Sequence, residues 1–192
     1  MAKRGDNKRE ALAAAAAELF WTKGFDATSI ADIAARSGVP IGNVYYYYKS
    51  KGDLAQAVAE IFVSETQAMV DTISSETDEP RGRLRALIER LQRSLRSRVD
   101  HGCPISLCVR DFRREHASAC DKAAESFTIL IGFIARELGR TGIRPSQGLG
   151  MARGVIAEWQ GGIALAHALG DAAILQESFR RMDHVLQAAG RS

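Results

Sequence analysis

A chain of 192 residues, 46% of them hydrophobic, is long enough to bury a substantial core, and a net charge of +3 is too small to identify a polyanionic partner by itself. Three cysteines, Cys103, Cys108 and Cys120, are too few for a disulfide framework and read as reduced thiols. The longest apolar run, residues 127–135, falls well short of the ~20 residues that cross a bilayer. Asp6, Glu10 and Glu18 interrupt the alanine-rich N-terminus before any secretory core forms, so a cytoplasmic protein with no membrane partner is expected.

In chain order, apolar residues recur at helical spacing almost everywhere: Leu12, Ala16, Leu19 and Phe20; Leu54, Val58, Ile61 and Phe62; Leu84, Leu87, Ile88, Leu91 and Leu95; Phe127, Leu130, Ile131, Ile134 and Leu138; Leu175, Phe179, Met182, Leu186 and Ala189. Residues 149–169 are apolar on more than one face, as in a helix buried on several sides. Breakers around Gly24, at Gly38–Pro40, Lys49–Asp53, Ser74–Gly82, His101–Pro104 and from Gly139 onward separate these segments. No stretch alternates as a strand does. The pattern predicts an all-α protein of about nine helices, with a small N-terminal unit over residues 1–51 and a larger helical bundle over 52–192.

Within the first unit, Thr28 or Ser29 can cap a short helix that leads through Ser37, Gly38, Val39 and Pro40 into Ile41, Gly42, Asn43 and Val44, followed by all four tyrosines of the chain, Tyr45 to Tyr48. Two short helices joined by a glycine-containing turn have the form of a helix-turn-helix. The stretch resembles the tetracycline-repressor (TetR) family of bacterial transcription regulators. The resemblance is carried by Leu19, Phe20, Lys23, Gly24 and Phe25, then by Thr28, Ser29, Ile33, Ala34, Ser37, Gly38 and Val39, then by Gly42, Val44, Tyr45, Tyr47, Tyr48, Ser50, Lys51 and Leu54. It implies a DNA-binding unit, a C-terminal bundle that holds a small-molecule effector, and a homodimer, most often a repressor on a palindromic operator. No cofactor, metal or enzymatic activity is expected, since no nucleophile, base or ligand constellation occurs at suitable spacing.

Helical geometry gives the four tyrosines different surroundings. Val44 and Tyr48, four apart, share the inward face, whereas Tyr45 faces the groove with Ile41 and Gly42. The candidate DNA-binding residues are Thr28, Ser29, Ile41, Gly42, Asn43, Tyr45, Tyr46, Tyr47 and Lys51. Asn43 is the hydrogen-bonding side chain among those facing base edges, the tyrosines suit phosphate or sugar, and the Lys51 ammonium suits a phosphate.

In the bundle, Pro104 fits the first position of a helix with Cys103 as its cap, where the helix dipole favours a thiolate. This raises an alternative, a redox or electrophile sensor of the same fold acting through Cys103. Cys103, Cys108 and Trp159 are the candidate ligand or sensor residues. The family resemblance places the dimer interface on the last two long helices. Small Gly162 and Ala166, with an apolar ridge of Phe179, Met182 and Leu186, are the residues expected there. Arginines at 81, 83, 85, 90, 93, 96 and 98 read mainly as a solvated face of one helix.

Overall fold

A computed structural model describes residues 2–189, with side chains from Asn7 onward. Its ten helices are α1 (Ala2–Thr22), α2 (Ile30–Ser37), α3 (Ile41–Tyr47), α4 (Lys51–Glu76), α5 (Pro80–Gln92), α6 (Leu95–His101), α7 (Pro104–Phe112), α8 (Ala117–Arg140), α9 (Pro145–Leu169) and α10 (Ala172–Ala188). There is no strand among the described residues. The count exceeds the expected nine or so because the arginine-rich stretch is interrupted. The Ser94 hydroxyl donates to the Leu91 carbonyl, and the Arg93 and Ser94 amides bond three residues back, so α5 ends there and α6 starts afresh.

The helices form two compact units. One comprises the chain up to Glu65 together with Pro104–Ser126; the other comprises Thr66–Cys103 and the chain from Phe127 onward. Packing therefore divides the molecule elsewhere than at residue 51, because α7 and the first turns of α8 join the N-terminal helices.

In the first unit, Leu12, Ala16 and Phe20 of α1, Ile33 of α2, Val44 of α3 and Leu54, Ala55 and Val58 of α4 are buried together with Phe112 of α7. Phe20, Phe25 and Phe112 meet edge to face, with ring centroids 4.9, 5.2 and 6.2 Å apart, and the His116 ring stands 5.2 Å from Phe25. Such pairs add to the hydrophobic burial because the positive ring edge meets the negative ring face.

In the second unit, α9 packs on α10, with Val155, Ile156, Trp159, Ile163 and Ala166 buried on one helix and Leu175, Phe179, Met182 and Leu186 on the other. Gly162 lets the two backbones approach. A methyl group there would sit 2.7 Å from Ser178 Cβ and overlap the Ser178 hydroxyl. Gly170 ends α9 at φ 65°, in the left-handed region where a glycine carries no Cβ clash. Arginines of the α5 stretch turn inward here. Arg81 donates to the carbonyls of Gln187 and Ala189 at 2.6 and 2.7 Å, closing the open C-terminal end of α10. Arg83, Arg136 and Arg140 surround the fully buried Glu137 at 3.4, 3.1 and 2.7 Å. The expectation of a mainly solvated arginine face is thus corrected: part-buried carbonyls and one buried carboxylate recruit several of them, while Arg85, Arg93 and Arg96 stay exposed.

Candidate nucleic-acid interface

The N-terminal helices are fixed by local chemistry. Ser29 caps α2: its side chain accepts from the Asp32 amide at 3.1 Å, and Asp32 accepts from the Ser29 amide at 2.8 Å, a reciprocal capping box. Lys23 bonds the same carboxylate at 2.7 Å, and these bonds, that from Lys23 foremost, hold the Asp32 carboxyl far below the usual carboxylate range. Arg36 of α2 pairs with Glu18 of α1 at 2.5 Å. After α2 the chain turns at Gly38, whose φ of 68° suits a residue without Cβ, and Val39 plugs the turn into the core. Pro40 then precedes α3, and the Asn43 amide donates to its carbonyl at 2.8 Å.

Seven residues make α3, and its two faces differ sharply. Val44 is buried, as is Tyr48, which follows the helix and donates its hydroxyl to the Arg9 carbonyl at 3.2 Å while the Arg9 guanidinium covers its ring. Burial raises the Tyr48 phenol above its ordinary pKa. The opposite face is open: Ile41, Gly42, Asn43, Tyr45 and Tyr46 are all exposed, Tyr45 by 54% and Tyr46 by 77%. Ile41 and Tyr45 are four apart, as are Gly42 and Tyr46, so they form two adjoining rows on one surface. Nothing lies within 4 Å of where a Gly42 side chain would be, leaving the backbone accessible there. Tyr47 is half-buried and stands edge-on to Tyr46, with centroids 5.0 Å apart. Lys49 donates to the Tyr45 carbonyl at 3.0 Å.

Two expected contact residues stand differently. Thr28 is 1% exposed, and its hydroxyl donates to the Gly24 carbonyl at 2.7 Å and reaches that of Leu19 at 3.3 Å. It closes the α1–α2 connection and is not a surface anion contact; Ser29 alone caps the helix. Lys51 is at the first position of α4, but its ammonium lies 4.3 Å from the centre of the Phe25 ring and 3.4 Å from the Asp26 carbonyl. Partial burial lowers its pKa, and it must swing off the ring to meet a phosphate.

In the second unit, Trp159 is 1% exposed, and its indole nitrogen has no hydrogen-bond partner among the described residues. Arg98 of α6 lies 5.6 Å above the Trp159 ring and interacts with the Cys103 thiol. Sequence reasoning misses Arg98, because a single arginine among seven carries no distinguishing pattern. Cys108 belongs to the other compact unit, and all three thiols are buried, an arrangement that does not favour a readily accessible sensor. The expected dimer ridge is also corrected. Gly162, Ala166, Phe179, Met182 and Leu186 are buried within the single chain, where they join α9 to α10. The outer face of that pair instead exposes Leu165, Leu169 and Val185, by 52%, 66% and 41%. Leu165 and Leu169 are four apart, a spacing readable in the sequence beside the buried set.

An all-helical chain with an N-terminal helix-turn-helix, an open recognition-helix face and a separate helical bundle defines a DNA-binding transcription regulator. Residues 12–58 match the family model for bacterial regulatory proteins of the tetR family, and residues 80–180 match that for the C-terminal domain of LmrA/YxaF-like transcriptional regulators. The chain belongs to the TetR family, with a C-terminal domain of the LmrA/YxaF-like kind. It is 27% identical over 176 residues, 90% of each chain, to an HTH-type transcriptional regulator in the lacX 3′ region of Lactococcus lactis. It is also 27% identical over 165 residues to the HTH-type regulator LmrA of Bacillus subtilis, covering 84% of this chain and 87% of that one. Its fold is similar to that of a TetR-family regulator from Streptomyces coelicolor, with a TM-score of 0.84 at 17% identity over 97% of both chains. A Legionella pneumophila TetR regulator gives 0.82 at 23% identity, covering 91% of this chain and 95% of that one. These relatives are transcription regulators. No helix among the described residues is long and apolar enough to cross a membrane.

Proposed function

We propose that the protein is a repressor that binds a palindromic operator as a homodimer and releases it when a small molecule binds the C-terminal bundle. The observation that supports the DNA contact is the open face of α3. Asn43 is suited to pair with an adenine edge, Ile41 to meet a thymine methyl, Gly42 to let the backbone close in, and Tyr45 and Tyr46 to donate to phosphate or sugar. Tyr47 flanks them, the Ser29 end of α2 faces an anion, and Lys51 joins after leaving Phe25. Recognition domain and bundle keep the expected division near residues 51 and 52 as functional regions, although α7 packs with the former.

The dimer surface in this reading is the outer face of α9 and α10, where Leu165, Leu169 and Val185 are exposed around Gly161 and the Arg181–Glu158 pair, which spans the two helices at 2.7 Å. Exposed apolar side chains in a row on two long helices are what a second copy would cover. Two recognition helices must then reach half-sites about 34 Å apart or a multiple of it. For the effector, the unpartnered Trp159 indole N–H beside Arg98 and Cys103 offers donors to an acceptor-bearing molecule. Selection of bound duplexes from a random pool tests the reading. Inverted repeats bound by two protomers support it, while asymmetric sites bound by one protomer overturn the dimeric operator model.

A further inference from the structure

Two adjacent exposed arginines outside the helix-turn-helix, so far without a role, are on the turn between α7 and α8. Arg113 and Arg114 are exposed there, and neither makes a hydrogen bond, ion pair or ring contact with the described residues, whereas Arg110 on the same helix end is paired with Asp111 at 2.8 Å. The turn is built into the DNA-binding unit. The Asp111 carboxylate accepts from the Phe25 amide at 3.5 Å, Phe112 is buried against Phe20 and Phe25, and the His116 ring rests on Gly52, where a Cβ would come within 2.9 Å of it. Ser118 donates to Gln56 of α4 at 3.1 Å. The turn therefore lies alongside the first turns of α4, the helix that directly follows the recognition helix. Phe25, Asp26, Ser50, Lys51, Glu115 and His116 line one open cleft.

We infer that Arg113 and Arg114 form a second phosphate-binding element, which meets the duplex backbone beside the phosphate reached by Lys51. The inference rests on the DNA-binding reading of α3. An unpaired, solvated guanidinium can exchange water for phosphate oxygens without breaking a protein bond, and its fork suits two oxygens at once. Asp26 and Glu115 line that cleft and disfavour a phosphate within it, so phosphate binding falls to the exposed Arg113 and Arg114, which directly precede Glu115 on the same turn. Because the turn packs on Phe20, Phe25 and Gly52, the arginines belong to the same compact unit as α3, and they add affinity without sequence preference.

The test compares the full-length protein with Arg113→Ala/Arg114→Ala and with a control, Arg96→Ala/Arg180→Ala, that removes the same charge from exposed sites in the other unit. Binding to a selected duplex and to a duplex of unrelated sequence is titrated across salt concentrations. The expected result is weaker binding of the first variant to both duplexes by a similar factor. Its plot of log affinity against log salt should also flatten by about 0.9 for each phosphate that is no longer neutralised. The control should keep the wild-type slope, and the melting temperature should be unchanged in all three. An unchanged slope in Arg113→Ala/Arg114→Ala, with normal binding by the wild type, overturns this inference alone. Equal flattening in the control also overturns it, showing a net-charge effect. Failure of the wild type to bind any duplex overturns the DNA-binding reading as well.

Discussion

The recognition helix and the α9–α10 pair each have one buried and one exposed face, yet their exposed faces have opposite chemistry. On α3 the exposed row is polar-aromatic and includes a glycine and an asparagine; on α9 and α10 it is aliphatic, with leucines and a valine. In the proposed function the α3 surface meets a hydrated polyanion and keeps hydrogen-bonding tips, and the α9–α10 surface meets a second copy and excludes water. Substitutions on the buried rows should therefore destabilise the fold in both regions. Substitutions on the exposed rows should leave it intact and separate DNA binding from assembly.

The largest effect is expected at Tyr48. Tyr48→Ala empties a buried aromatic site and should cost roughly 3–5 kcal/mol in chemical denaturation. Tyr48→Phe removes only the hydrogen bond to the Arg9 carbonyl, a loss of about 1 kcal/mol. A similar buried-row test in the other region is Gly162→Ala, which forces the Ser178 side chain aside and should cost about 1–3 kcal/mol as overpacking. If Gly162→Ala instead leaves stability unchanged and only weakens self-association, then Gly162 faces a partner and the comparison fails there.

That contrast also shows what the sequence could carry. The order of motifs from Leu19 to Leu54 discloses the helix-turn-helix, because capping, turn and core residues are local and each has a distinct chemical type. The division of labour among the tyrosines follows from helical spacing alone. In the bundle, spacing locates the stripes but not what they face: Phe179, Met182 and Leu186 read equally well as an internal seam or an external one, and only packing against α9 decides. Thr28 is misread for a related reason, since a threonine before a helix has the same signature whether its hydroxyl faces solvent or the Gly24 carbonyl. The joining of Pro104–Ser126 to the N-terminal unit depends on Phe112 meeting Phe20 and Phe25 across some ninety residues, which no local pattern records.

Intermediate effects are expected on the caps and the outer rows. Ser29→Ala loses the α2 capping box and should cost about 1 kcal/mol. Leu165→Asp combined with Leu169→Asp should leave the monomer folded, by helical circular dichroism, and abolish dimers in sedimentation; persistent dimers would move the interface off this face. The smallest effect is a pH dependence. Hydrogen bonds from Lys23 and Ser29 lower the Asp32 pKa in the folded state, so its stabilisation is present above the ordinary carboxylate pKa of 3.8 and fades as pH falls below that value. The melting-temperature difference between wild type and Asp32→Asn should be largest near neutrality and shrink below about pH 4.

In the proposed function the open face of α3, and not its buried one, reads duplex DNA. The most direct measurement is the affinity of Asn43→Ala and Tyr45→Phe, beside Tyr48→Phe, for a duplex selected by the wild type. Tyr45→Phe should bind about 1 kcal/mol more weakly than wild type. Asn43→Ala should bind more weakly by about 1–3 kcal/mol and lose discrimination at one base pair of each half-site. Tyr48→Phe should match the wild type once its small loss of stability is accounted for. Normal operator binding by both Asn43→Ala and Tyr45→Phe, with loss of binding in Tyr48→Phe, would contradict it.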